Sequence, residues 1–339
     1  MRQALLNTVK WCLLLLLPGT YLIGQDIHYS QFNHTPLNIN PALTGIFNGD
    51  LRFAGNFRDQ WRSVPVPFTT FTVAFDTKLY PKRSDKYFWG LGVNFNYDLA
   101  GTVKLNLLHL TVSGSYTRIL NQNNIVTAGV AIGGAQRSFK PAFGTTDAMW
   151  DGLQFDQTLP IGETWSNEAI LFGDISAGLN YRLQANERTK IDLGAGAFHL
   201  NRPSQTFKEE SNVELPVRLS IYGLGSLRLT NGLDLLLDAQ YTFQGPHDEF
   251  VAGAGAKIYL NQNRGKELAI VLGANWRTRD AIIPKMEVHY KTWHLGLSYD
   301  INYSPFTEAT NRRGGPELSI SYRILKVKPL STYKTCPIY

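Results

Sequence analysis

The stretch Leu233-Asp234-Leu235-Leu236-Leu237-Asp238-Ala239-Gln240-Tyr241-Thr242-Phe243-Gln244 decides the reading of this chain. Leu233, Leu235, Leu237, Ala239, Tyr241 and Phe243 fall on one face of an extended chain. Asp234, Asp238, Gln240, Thr242 and Gln244 fall on the other, with Leu236 as the only intruder. A period of two belongs to a strand whose faces meet different surroundings. The pattern recurs along the chain. Tyr87, Trp89, Leu91, Val93, Phe95 and Tyr97 oppose Gly90, Gly92, Asn94, Asn96 and Asp98. Val217, Leu219, Ile221, Leu227 and Leu229 oppose Arg218, Ser220, Ser226, Arg228 and Thr230. Trp293, Leu295, Leu297 and Tyr299 oppose His294, Ser298 and Asp300. Leu318, Ile320, Tyr322 and Ile324 oppose Glu317, Ser319, Ser321 and Arg323.

Fourteen strands are predicted, over 51–59, 68–79, 86–98, 104–118, 124–138, 170–183, 188–200, 216–230, 232–244, 249–260, 266–278, 281–290, 292–302 and 316–325. The connections between them sort by parity. The even-numbered turns are short, at 81–85, 121–123, 184–187, 231, 261–265 and around 291. The odd-numbered ones include the long stretches 60–67, 139–169, 201–215 and 302–315. Outer-membrane barrels have short periplasmic turns and longer outer loops. A soluble β-sandwich or propeller would share the alternation but has no reason to sort its loops. The expected fold is all-β: a transmembrane outer-membrane antiparallel β-barrel of about 14 strands over residues 51–325. Apolar faces would meet lipid and polar faces the lumen. A closed sheet is required there, because hydrocarbon leaves no partner for an unpaired N–H or C=O. An even strand number puts both termini at the periplasmic, short-turn end. Tyr80, Tyr87, Trp89, Trp276, Trp293 and Tyr299 are candidates for the interfacial aromatic girdles.

Composition agrees. Of 339 residues, 12% are aromatic and only 18% charged, which excludes a disordered chain. No run approaches the ~20 apolar residues of a spanning helix. A net charge of +6 without a concentrated basic stripe gives no case for nucleic acid as a partner. Arg2 and Lys10 bracket a basic start, Leu13 to Leu17 form a short apolar core, and small or polar residues return at Gly24-Gln25. That is the shape of a secretory signal peptide, read as residues 1–24. The remaining chain keeps one cysteine, Cys336, so no internal disulfide framework is expected. Residues 25–50 form an N-terminal periplasmic segment, expected to fold under or into the barrel as a plug; a mobile tail is the alternative. Residues 326–339 form a C-terminal periplasmic tail.

No constellation of catalytic residues emerges. HExxH, paired CxxC, GxSxG and P-loop patterns are missing from the sequence. His109 shares an inward face with Ser113 and Ser115, but no acid is placed to orient its imidazole. The reading is therefore not an enzyme, with no cofactor. The 139–169 loop carries Asp147, Asp151, Asp156, Glu163 and Glu168, ligand types suited to calcium at a spacing that matches no known loop. It also carries Trp150, Phe155 and Trp165. These are candidate partner-docking aromatics, or they pack back over the barrel mouth. Lumen-facing charges include Lys190 with Asp192, Arg218 with Arg228, and Asp234 with Asp238. Fourteen strands enclose a wider interior than eight, which favours a plug, from the N-terminal segment or from the 139–169 loop.

The stretch Gln25-Asp26-Ile27-His28-Tyr29-Ser30-Gln31-Phe32, followed by Asn38-Ile39-Asn40-Pro41-Ala42-Leu43-Thr44-Gly45, resembles the opening of the PorP/SprF family. These are outer-membrane proteins tied to type IX secretion and gliding motility in Bacteroidota. Arg58-Asp59-Gln60-Trp61 resembles the family's R-x-Q-W element, and Tyr97-Asp98-Leu99-Ala100-Gly101 its D-x-x-G turn. Gly296-Leu297-Ser298-Tyr299-Asp300 and Pro316-Glu317-Leu318 resemble its closing elements, although Leu43-Thr44 and Pro316 depart from the usual residues. The motif residues are Asn40, Pro41, Gly45, Arg58, Trp61, Asp98, Gly101, Tyr299, Asp300 and Glu317. The resemblance implies a non-enzymatic barrel that receives the C-terminal sorting domain of a secreted adhesin and helps export or attach it. It implies other type IX secretion and gliding components as further partners. A passive porin-like channel is the alternative. By physical reading, Asn40-Pro41 makes a non-helical bend and Gly45 a turn. Asp98 and Gly101 shape an outer turn, and Asp300 and Glu317 bond Arg58 or Arg52 across the closure.

Overall fold

The computed structural model describes residues 26–325 apart from residues 63, 65–67, 82–83, 85, 141–145, 157, 163–166, 208–212 and 306. The signal-peptide and C-terminal-tail readings, with Cys336 and Trp165, lie outside the described residues. Fourteen strands follow one another: β1 Leu51–Gln60, β2 Phe68–Leu79, β3 Tyr87–Ala100, β4 Leu105–Ile119, β5 Asn124–Ser138, β6 Ala169–Gln184 and β7 Lys190–Phe198. Then come β8 Arg218–Arg228, β9 Leu233–Gln244, β10 His247–Asn261, β11 Leu268–Arg277, β12 Ala281–Tyr290, β13 Trp293–Asn302 and β14 Arg313–Ile324. Each pairs with its sequence neighbour, and β1 pairs antiparallel with β14 to close the barrel. Closure from Leu51↔Ile324 to Arg58↔Glu317 removes the free edge that lipid would not tolerate. Among the described residues no helix is long and apolar enough to cross a membrane.

The period-two pattern becomes an inside-out protein. Ile132 is 65% exposed on the outer wall, with Phe53, Leu91, Val112, Leu179, Leu295 and Ile320 around it on the same surface. Glu317 is 0% exposed in the lumen, and Asn56, Asp76, Asn94, Thr117 and Asp192 are likewise buried on the inward face. An apolar surface of that extent wrapped round a polar interior is stable only against lipid. Trp89 and Trp293 are exposed near the short-turn end, and Trp276 and Tyr299 near the other. They form two belts where an amphipathic ring finds both phases.

Strands β7 and β8 are shorter than the sequence suggests. Left-handed backbone at His199 and Arg202 turns the chain out of the ladder just beyond β7. Residues 199–217 and 139–168 are the long connections, both at the end opposite residue 51. The connections at 101–104, 245–246 and 278–280 on that end are tight, so the sorting of loops by length is partial.

Residues 26–47 are inside the barrel. Three single turns of helix, Phe32–His34, Pro36–Ile39 and Pro41–Leu43, fold the segment into a stopper. Phe32, Ile39, Leu43 and Ile46 form its apolar centre, packed with Phe88, Tyr222 and Val251 from the wall. An even strand number puts the start of this segment at the short-turn end. The structure instead starts it near the long-loop end, where the Asp26 N–H donates to Gln244 Oε1 at 3.0 Å. It then runs the height of the lumen and leaves beside β1, where the Asp50 N–H donates to the Ile324 carbonyl.

Candidate functional site

The stopper is held by polar contacts that no local pattern in the sequence announces. Glu317 on β14 accepts from the Ser30 N–H at 2.7 Å and the Gln31 N–H at 2.8 Å. It also accepts from Asn56 Nδ2 at 3.0 Å. Asp300 on β13 accepts from Ser30 Oγ at 2.6 Å, from Arg58 Nη2 at 2.7 Å and from Arg277 Nη1 at 2.9 Å. Arg58 also reaches the His28 carbonyl at 2.8 Å. Arg58, Arg277, Asp300 and Glu317 are all buried, and such charges persist in an interior only when paired and fully hydrogen-bonded. Arg58 is thus the partner of both closing acids. Arg52 is not: it makes a two-pronged pair with Asp76, at 2.8 Å from Nε and 2.7 Å from Nη2.

A second cluster holds the start of the segment. The Asp26 carboxylate lies 3.1 Å from His199 Nε2 and 3.1 Å from Arg218 Nε. His199 Nδ1 lies 2.9 Å from Asp174, whose other oxygen is 3.2 Å from His109 Nε2. Burial pulls the His199 imidazolium down, but the Asp26 carboxylate and the hydrogen bond to Asp174 outweigh it and carry it up to about 9. Burial likewise opposes ionisation of Asp26, yet Arg218 and His199 hold its carboxyl well below the usual carboxylate range.

An acid therefore does stand beside His109, contrary to the sequence reading. It comes from β6, which the sequence does not show to be adjacent in space at that level. The two serines on the face of His109 are engaged by the stopper: Ser113 Oγ accepts from Thr44 Oγ1 at 2.9 Å, and Ser115 Oγ donates to the Thr44 carbonyl at 2.7 Å. The stopper occupies both hydroxyls.

The middle of the segment depends on missing side chains. Asn40 caps the Pro41–Leu43 turn, its Oδ1 accepting from the Ala42 N–H at 2.8 Å while its Nδ2 donates to the Leu179 carbonyl at 2.8 Å. Pro41 follows on directly, its fixed φ suiting the first helical position. The wall opposite is a row of glycines in register, Gly129↔Gly178↔Gly196 on β5, β6 and β7. A Cβ on Gly178 would overlap the Asn40 carboxamide, and one on Gly129 would overlap the Pro41–Ala42 backbone. These glycines are functional residues that sequence reading does not single out. Their common parity on three successive strands was the available signal.

The other motif residues scatter. Gly45 turns the segment at φ +77° and gives its N–H to Asp76 Oδ2 at 2.7 Å. Trp61 caps the first connection in a left-handed conformation, its N–H donating to the Gly314 carbonyl at 2.7 Å and its ring edge-on to Phe68. Gly101 (φ +76°) makes the β3–β4 turn. Asp98 does not: it lies within β3 and accepts from Thr70 Oγ1 at 2.7 Å. Tyr299 faces outward beside Pro316. Trp150 and Phe155 pair with each other and are both exposed, at 55% and 43%. Lumen charges find partners across strands rather than along them: Asp192 holds Arg182, Asp234 holds Arg188 and Asp238 holds Lys285. Among the described residues no group of three or more His, Cys, Asp or Glu is arranged to hold a metal ion.

The profile of the PorP/SprF type IX secretion system membrane proteins matches residues 22–322. The chain belongs to the PorP/SprF family. No curated protein matches it. Among solved structures, the Ralstonia pickettii toluene transporter TbuX is similar at a TM-score of 0.51 and 14% identity, over 86% of this chain and 94% of that one. The Pseudomonas putida toluene transporter TodX is similar at 0.50 and 8% identity, over 89% and 98%. At such low identity these likenesses concern the fold, a 14-strand outer-membrane-type barrel. The family match and the stopper agree on position, since the matched span takes in residues 26–47 as well as the wall.

Proposed function

We propose that this barrel sits in the cell outer membrane, delivered by its signal peptide, and serves the type IX secretion or gliding apparatus without catalysing a reaction. In this reading it binds a secreted adhesin through that protein's C-terminal sorting domain and helps export it or attach it to the surface. Other secretion components are its further partners. The observation that carries the reading is the stoppered lumen: Asn40, Ala42 and Thr44 are all 0% exposed in the middle of the barrel. A passive channel needs open water through that level, and an ion pays heavily to cross a closely packed plug. The exposed pair Trp150 and Phe155 on the 139–168 connection supplies aromatic surface of the kind that protein interfaces favour.

Deletion of the gene tests the reading. The expected result is loss of a secreted adhesin from the cell surface with general permeability unchanged. Steady, large single-channel currents from the purified intact protein in planar bilayers would favour the porin alternative and overturn this one.

A further inference from the structure

Below the stopper, toward the short-turn end, lies a cavity of about 270 Å³. Its roof is His34, Pro36, Leu43, Ile46 and Phe47 of the stopper, and Glu187 and Arg188 stand at its rim. Strand residues line the rest, mostly polar but with Leu224, Leu236 and Leu237 among them. Most of the charges there are already paired. Arg182 pairs with Asp192, Arg188 with Asp234 and Lys285 with Asp238. Glu287 is shared by His34 at 3.1 Å and His289 at 2.8 Å. Arg52, also lining the cavity, is taken by Asp76.

Three cations are left over. Among the described residues no carboxylate comes within ion-pair distance of Lys190 on β7, Lys257 on β10 or Arg323 on β14. The Arg323 Nε is buried without a hydrogen-bond partner. They repel one another, while Asp192, Asp234, Glu287 and Asp76 attract them only from beyond ion-pair distance. The remaining acid, Glu187, is exposed on the rim. Like charges facing one another in a partly desolvated space are unfavourable, and an anion entering there relieves the repulsion while making charge-assisted hydrogen bonds.

Spacing favours one kind of anion. Round the wall, Lys257 is four strands from Arg323 and three from Lys190. Strands lie about 4.8 Å apart, so the side chains spring from points roughly 14 Å (Lys190 to Lys257), 19 Å (Lys257 to Arg323) and, seven strands round, 34 Å (Lys190 to Arg323) apart along the wall. One phosphate or one carboxylate cannot bridge that spread. An extended chain with several carboxylates can. The stopper closes the far side, so the ligand enters and leaves by the short-turn mouth.

We propose that this vestibule is a binding site for an acidic peptide segment, with Lys190, Lys257 and Arg323 taking its carboxylates. The site is separate from the exposed loop aromatics and does not depend on the adhesin reading, since the test reads binding by the purified barrel alone. The probe is a fluorescein-labelled hexaglutamate peptide titrated against the intact protein in detergent, followed by polarisation. Hexaglutamine, with the same label, is the neutral control. Hexaglutamate is expected to bind at least tenfold tighter. Lys190→Gln, Lys257→Gln or Arg323→Gln should each weaken it about 5- to 10-fold, and the triple variant about 100-fold or more, following the usual worth of charged hydrogen bonds. The triple variant breaks none of the cavity's ion pairs, so the barrel should keep its native circular dichroism. A control variant, Arg264→Gln with Lys266→Gln, removes two exposed cations from a turn at the same mouth. Equal binding of hexaglutamine, an equal loss in the control variant, or an undiminished affinity in the folded triple variant would each overturn the proposal. So would inorganic pyrophosphate displacing the peptide at an equal concentration, which would mark a small-oxyanion site instead.

Discussion

Replacing Glu317 with glutamine should unseat the first turn of the stopper while leaving the wall intact. The native carboxylate takes three donors: the Ser30 and Gln31 amides and the Asn56 carboxamide. A glutamine side chain offers one oxygen and adds an N–H₂ of its own. At least one buried backbone N–H then faces a donor rather than an acceptor. An orphaned buried donor costs about 1–3 kcal/mol, and losing the charge weakens the bond that remains. Arg58, whose Nε lies 3.8 Å from the carboxylate, keeps Asp300 as its main partner, so the pair network survives. A net loss of about 3 kcal/mol is expected, which multiplies the detached population of residues 28–32 about 150-fold. Amide hydrogen exchange reads this directly at Ser30 and Gln31. Their protection should drop by about two orders of magnitude, while Phe57 and Leu318 in the closing strands exchange as before. Unchanged protection at Ser30 and Gln31 in the variant would refute the reasoning, because it would mean the carboxylate is not what holds them.

Other perturbations reach different parts of the same design. Gly178→Ala puts a methyl group where the Asn40 carboxamide sits. It should cost about 1–3 kcal/mol of stopper docking by overpacking, read as faster proteolysis of residues 26–47 with the barrel itself resistant. The Asp26–His199 contact carries a pH dependence. His199 titrates near 6.5 when unfolded and at about 9 in place, so its contribution is fully present below about 6.5 and is lost as pH rises through 9. Protection factors at Asp26 and Ile27, taken relative to the intrinsic exchange rate at each pH, should fall above pH 9 and hold steady between pH 5 and 6.5; the reverse trend would rule the contact out as a latch. On the outer wall, Ile132→Arg near the middle of β5 should destabilise the barrel by about 2–4 kcal/mol in denaturant titrations in lipid vesicles, whereas Ser321→Ala in the lumen, which removes a buried hydroxyl without a hydrogen-bond partner, should change it far less.

The wall was legible because it is written locally. Alternation fixes which way each side chain points, and Leu233 to Gln244 carries that information without help from the rest of the chain. The stopper was legible only as a need. Its contacts join residues far apart in sequence, such as Ser30 to Glu317, and between short polar side chains that give no periodic signal. Arg58 and Arg52 share the same parity on one strand, so parity alone could not say which would meet Glu317. Their partners were settled by height in the lumen, Asp76 lying at the level of Arg52 and Asp300 at that of Arg58. The pairing of His289 with His294, stacked at 3.8 Å across the β12–β13 hairpin, is of the opposite kind. It follows from the turn between them, once the turn is allowed to bring both rings to one face.

Glu317 and Asn56 stand on the last and first strands, and Ser30 and Gln31 clasp the carboxylate between them. The seam that turns a sheet into a cylinder is therefore bolted from within by a segment that precedes both strands in the chain. Because that segment already runs from one mouth to the other, a finished cylinder would have no easy way to take it in. Assembly in the order leader first, staves around it, hoop last follows from the geometry, and a barrel made without its leader would be expected to close on a weaker joint.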